Sequence, residues 1–126
     1  MKHVLIVDDS SVIRKFSRLI FESLGFRVSD TDSVSDALER VQADTPDFIP
    51  IDWIIPNANC LEFITAVRRA ELERRCFIIY MVSENDAADI LKAFKAGAND
   101  YILKPFDLDI LLARLNSISR VKGKVA

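Results

Sequence analysis

Apolar residues come in two rhythms along this chain. Val4-Leu5-Ile6-Val7 is a continuous run, as in a strand covered on both faces, and it stops at Asp8-Asp9-Ser10-Ser11. Val12, Ile13, Phe16, Leu19, Ile20 and Leu24 then recur at helical spacing, with Ser10 or Ser11 as N-cap and Gly25 as the stop. The alternation repeats. Phe26 to Ser29 reads as a second strand, and Ser33 or Ser35 caps a helix carrying Val34, Ala37, Leu38 and Val41. After the turn Asp44-Thr45-Pro46-Asp47, Phe48 to Ile51 forms a third strand ending at Asp52. Leu61, Phe63, Ile64 and Val67 mark a third helix. Phe77 to Val82 is a fourth strand, and Ile90, Leu91 and Phe94 belong to a helix closing near Gly97. Tyr101-Ile102-Leu103 is a fifth strand. A last helix starts near Asp107 and carries Ile110, Leu111, Leu112, Leu115 and Ile118. The phenylalanine and leucine stripes are assigned to the core.

Five strands alternating with five helices predict an α/β fold with a parallel sheet, and right-handed crossovers leave few topologies. One doubly wound, flavodoxin-like solution has strand order 2-1-3-4-5, with its crevice at the carboxyl ends of strands 1 and 3. The 126 residues, half of them hydrophobic and 29% charged, suit one domain with a real core. Residues 1–120 are assigned to it, and 121–126 to a short basic tail. A net charge of −2 argues against a protein built around a nucleic-acid backbone. Two cysteines, Cys60 and Cys76, read as reduced, inert thiols. No apolar run is long enough to span a bilayer, and the N-terminus does not read as a signal peptide. A cytoplasmic protein without membrane insertion is expected.

The residues that follow the strands carry the chemistry. Asp8 and Asp9 follow the first, Asp52 the third, Ser83 the fourth and Lys104 the fifth. In the order 2-1-3-4-5, three carboxylates converge, which is costly without a cation. Mg²⁺ suits such a site, being hard and oxygen-seeking. With a hydroxyl and a lysine beside it, the set supports phosphoryl transfer to a carboxylate.

The segments Val4 to Ser10, Ile51 to Pro56, Met81 to Ser83 and Ala96 to Phe106 resemble a response-regulator receiver domain of two-component signalling, over nearly the whole chain. The resemblance implies that Asp52 is the phospho-acceptor, served by a sensor histidine kinase or a phosphotransfer protein. It implies Mg²⁺ on Asp9, Asp52 and the Ile54 backbone carbonyl, with Asp8 acting through water. Lys104 would contact the phosphoryl oxygens and precede a cis bond to Pro105, and Ser83 and Tyr101 would form the switch. The output face would be the fourth helix, fifth strand and fifth helix. The domain would catalyse its own phosphoryl transfer and dephosphorylation, not turnover of an external substrate. Because the chain ends soon after the last helix, a stand-alone, CheY-like regulator is expected. It would act on a partner protein, in a chemotaxis or flagellar switch or a phosphorelay, without direct DNA binding, as a monomer or a phosphorylation-dependent dimer.

Several positions depart from that pattern. Pro50 lies in a strand that should be central, where it cannot donate to the ladder. Asn57-Ala58-Asn59-Cys60 lacks the usual glycine, an easy position for a positive φ, although Asn59 tolerates such a conformation better than most residues. Glu84 stands where a small residue is usual, and Ile54 and Asn85 hold the positions that tune dephosphorylation; Ile54 favours a long-lived phosphoryl state. The departures admit an alternative, a pseudo-receiver that works as an interaction module. A haloacid-dehalogenase type of hydrolase would need an aspartate where Ile54 stands. Arg68, Arg69, Arg74 and Arg75 form either a solvated face, paired in part with Glu71 and Glu73, or an anion site for a cyclic dinucleotide or a phosphate-bearing partner. Lys92, Lys95 and Arg114 hint at an acidic partner. His3 is assigned to the surface.

Overall fold

A computed structural model describes residues 2–52, 59–70, 72, 75–83, 87–104 and 109–114. In chain order the elements are β1 (His3–Val7), α1 (Ser11–Ser23), β2 (Arg27–Thr31), α2 (Val34–Ala43), β3 (Phe48–Asp52), α3 (Cys60–Arg69), β4 (Phe77–Val82), α4 (Ala87–Ala96) and β5 (Asp100–Leu103). Residues 109–114 are helical. All strands are parallel, in the order β2-β1-β3-β4-β5. No helix among the described residues is long and apolar enough to cross a membrane.

Alternate strand residues serve opposite layers, which is why the strands read as unbroken apolar runs. Leu5, Val7, Ile49, Ile51, Ile78, Tyr80 and Val82 face α2, α3 and α4. Val4, Ile6, Phe48, Ile79, Met81 and Ile102 face Phe21 of α1 and Leu111. The starts of three helices follow from local chemistry. Ser10, Ser33 and Asn59 are N-caps whose side-chain oxygens accept from Ile13 N, Asp36 N and Glu62 N. Gly25 ends α1 at φ +89°, the left-handed position that a helix stop of this kind requires.

Asn59, a residue that tolerates a positive φ, has φ −113° here and serves as a cap. Two expectations need correction. The phenylalanine and leucine stripes are not all core. α1 rests on the sheet through Ser17 and Phe21, and its Val12 and Leu19 are 72% and 68% exposed. Phe16, Leu91 and Phe94 are also exposed. The apolar positions of α1 cover more of the helix than one sheet contact can bury. His3 is not a surface residue; it is buried at the start of β1 with Nε2 2.9 Å from Ser29 Oγ.

Pro50 is accommodated inside β3. The β3–β4 register is complete from Phe48 to Asp52. The β1–β3 register pairs Val4 with Phe48 and Val7 with Ile51 and steps over Pro50, whose missing N–H cannot donate.

Candidate functional site

Asp8, the residue after β1, is held at four atoms. Its N–H donates to Thr31 O (3.1 Å), and its Oδ1 accepts from Ser10 N (2.9 Å). Its carbonyl accepts from Arg14 Nη1 (2.8 Å), and its Oδ2 from Lys104 Nζ (2.8 Å). Asp52 closes β3 and lies opposite Met81 in the β4 register. Its backbone carbonyl accepts from Cys60 Sγ at 3.1 Å, so the first residue of α3 supports the end of β3. Lys104 follows β5 and is anchored by its own N–H to Val82 O (2.7 Å). Its ammonium bridges the neck of the cluster, 2.8 Å from Asp8 Oδ2 and 3.1 Å from Asp52 Oδ1. Asp9 sits at the exposed mouth. One carboxylate oxygen each from Asp8, Asp9 and Asp52 lies within 4.8 Å of the other two.

Asp8 is fully buried and Asp52 nearly so, at 5% exposure. Among the described residues, two buried like charges share the Lys104 ammonium, and a third lies at the mouth. Burial alone would lower the pKa of Lys104. The hydrogen bond to Asp8 and the charges of Asp52 and Asp8 outweigh it, and the ammonium is held above the ordinary lysine value. Tyr80, on the adjacent strand, is pushed up to about 12, first by burial and then by Cys60, Asp89 and Asp52. Among the described residues the carboxylates of this cluster outnumber the ammonium, around a mouth lined by oxygen. That donor set is hard, anionic and open on one side, and it fits a divalent cation that keeps part of its shell for another ligand.

The fold therefore brings Asp8, Asp9, Asp52 and Lys104 together from the ends of three strands. Ser83 lies at the exposed end of β4, one residue beyond the Val82–Leu103 pair. Tyr101 packs between Phe94, edge to face at 6.3 Å, and the Arg114 guanidinium, 5.4 Å from its ring centre. Ile54, Asn57, Ala58, Glu84, Asn85, Pro105, Arg74 and the tail at 121–126 lie outside the described residues.

The arginine cluster does not act as one unit. Arg68 turns inward and donates from Nε to Gly97 O (2.8 Å), from Nη1 to Cys76 O (2.7 Å) and from Nη2 to Asn99 Oδ1. Burial first, and then the charge of Arg75, lowers its pKa. A guanidinium committed on three nitrogens to the fold is a strut, which counts against its place in an anion site. Arg69 and Arg75 are exposed. Cys60 and Arg14 are the supporting residues that sequence reasoning missed. Arg14, four residues past the N-cap Ser10, reaches back to the end of β1 at Asp8 O, and Cys60 reads from sequence as an inert thiol.

A protein-family model described as "Response regulator receiver domain" matches residues 4–116. The chain is 35% identical over 121 residues to the transcriptional regulatory protein CseB of Streptomyces coelicolor, covering 96% of this chain and 50% of that protein. It is 27% identical over 119 residues to the phosphate regulon transcriptional regulatory protein PhoB of Escherichia coli, covering 94% and 52%. It thus spans about half the length of these curated relatives. The solved structure of the chemotaxis protein CheY4 of Vibrio cholerae superposes with a TM-score of 0.87 at 28% identity, covering 94% of this chain and 98% of that one.

Proposed function

The chain belongs to the response regulator receiver domain family, and from that premise we propose that Asp52 accepts a phosphoryl group with Mg²⁺ as cofactor. The donor is the phosphohistidine of a sensor histidine kinase or of a phosphotransfer protein. The observation that carries this reading is the grouping of Asp8, Asp9 and Asp52 around a single bridging lysine.

An Asp52 carboxylate oxygen attacks phosphorus while the N–P bond breaks and its electron pair returns to the donor imidazole. The product is an acyl phosphate. Asp8, Asp9 and Asp52 would hold Mg²⁺, which supplies the positive charge that the phosphoryl oxygens need. Lys104 is already positioned by Val82 O, so its ammonium can pass from Asp52 to a phosphoryl oxygen with little reorganisation. Asp8 keeps its backbone bonds and orients the metal side of the pocket. Cys60 holds the Asp52 carbonyl and limits movement of the nucleophile's backbone.

The signal leaves through α4, β5 and residues 109–114. Exposed Leu91, Phe94, Leu103 and Ile110 on these elements support that reading, as does Tyr101 between Phe94 and Arg114. A phosphoryl group drawing Lys104 and Ser83 toward Asp52 would shift β5 and change this face for a target protein.

Intact mass after incubation with Mg²⁺ and acetyl phosphate tests the chemistry. One added phosphoryl group, absent from Asp52→Asn, is expected. No addition from acetyl phosphate or from a phosphorylated histidine phosphotransfer domain would overturn the proposal.

A further inference from the structure

Arg14 is a cation that the phosphoryl chemistry does not use, yet it stands against the acidic cluster. It lies in the first turn of α1, and its Nη1 is 2.8 Å from the carbonyl of Asp8. A guanidinium thus sits directly behind the peptide that joins Asp8 to Asp9. Three carboxylates against one ammonium draw any nearby cation inward, and the attraction is strong where solvent is partly excluded. An arginine free to turn into the cluster would occupy it as an internal cation.

Asp30 supplies the opposing pull. Its Oδ1 is 3.3 Å from Arg14 Nε. Its Oδ2 accepts from Arg18 Nε (3.1 Å) and Nη2 (2.7 Å). Arg18 in turn donates to Val28 O (3.1 Å) and lies 3.7 Å from Glu22, so the Asp30 side chain is fixed from β2 and α1 together. One carboxylate is shared between two guanidiniums, and Arg14 meets Asp8 at its backbone carbonyl.

We propose that Asp30 is a positioning residue for the metal site: it restrains Arg14 outside the acidic cluster and leaves the three carboxylates to the divalent cation. The inference rests on the Mg²⁺ reading above. Asp30 and Arg14 touch neither metal nor phosphoryl group; they act by deciding where a competing positive charge resides.

The test is a titration of the unphosphorylated protein with Mg²⁺ alone. It is followed by the fluorescence of Trp53, the one tryptophan and the neighbour of Asp52 in sequence, and checked by the Mg²⁺-induced rise in Tm. Asp30→Asn, which keeps shape and removes charge, is expected to raise the Mg²⁺ midpoint about tenfold. Arg14→Gln alone is expected to leave the midpoint unchanged or lower it. The double variant is expected to return to within about twofold of Arg14→Gln, a rescue that a merely structural role for Asp30 would not produce. An Asp30→Asn midpoint within about twofold of the parent, a double variant that stays weak, or a raised midpoint in Arg14→Gln would each overturn the inference while the Mg²⁺ reading stands. A parent protein that does not respond to Mg²⁺ overturns both.

Discussion

The two ends of the sheet carry polar side chains in opposite ways. At the N-terminal ends of the strands, polar side chains are turned largely to the main chain. His3 N donates to Asp47 Oδ2, Asp47 N donates to His3 O, and Phe77 N donates to Asp47 O. Ile78 N donates to Asn99 Oδ1, and Arg68 ties Cys76, Gly97 and Asn99 together. At the C-terminal ends, three of the described carboxylates crowd together, and Asp8 and Asp52 share the Lys104 ammonium. The first arrangement ties these polar groups to strand and loop backbone and stabilises the fold. The second leaves like charges in excess, which costs stability and creates a place for a cation and an anionic group. The same residue types thus build a fastening at one end and a reactive site at the other, and the difference lies in how many like charges the fold brings to one place.

Substitutions at the fastening end should have the largest effect on stability. Arg68→Ala strips a donor from two carbonyls and from Asn99, and is expected to cost about 3 kcal/mol in urea denaturation without moving the Mg²⁺ midpoint. A loss below about 1 kcal/mol would break the comparison at its strongest point. Gly97→Ala is next, at about 2 kcal/mol, because φ is +126° and the added Cβ would fall 2.6 Å from Arg68 Cγ. Equilibrium unfolding of this variant and of Arg68→Ala Gly97→Ala should show that the second change costs less once the arginine is gone.

At the reactive end the sign reverses. Asp9→Asn relieves repulsion at the mouth and should raise Tm by roughly 3 °C in metal-free buffer. Excess Mg²⁺ should then restore or invert the order, since binding stabilises the parent more than the variant. Thermal melts with and without Mg²⁺ read this directly, and a lower Tm for Asp9→Asn in chelator would contradict the reading of excess charge.

The smallest effect concerns pH. The Tyr80 phenol is held up to about 12 in the folded chain, while an unfolded phenol ionises near 10. Between these values the unfolded state releases a proton that the folded state keeps, so stability falls as pH rises. Lys104, also held above its ordinary value, adds in the same direction, its contribution being lost as pH rises through the folded value. Tyr80→Phe should make the decline in urea midpoint above pH 10 shallower, and an unchanged slope would remove Tyr80 from the account.

Much of the fold was legible because its signals are local. Ser10 and Ser33 cap helices where a serine precedes an apolar period, and Phe77 to Val82 is a strand whose bounds follow from an unbroken buried run. Other assignments failed because their outcome is non-local. His3 looked like a terminal surface residue, but β2 and the turn before β3 close over it through Ser29 and Asp47. Arg68 looked like a member of a charged patch, but its three acceptors lie 8 to 31 residues away in sequence. The apolar positions of α1 showed the period of a helix without showing that only Ser17 and Phe21 would reach full burial.

The sequence by itself determined the alternation of five strands with helices, the serines that cap two of those helices, and the presence of aspartates and a lysine at or just beyond three strand ends. Each follows from side-chain periodicity and from hydrogen bonds within a few residues. Only the tertiary structure decided that Lys104 bridges Asp8 and Asp52, that Cys60 supports the Asp52 backbone, and that Asp30 holds Arg14 beside the cluster. Those contacts join elements distant in sequence. Their geometry depends on strand order and on how closely each helix packs against the sheet, and no local pattern encodes either distance.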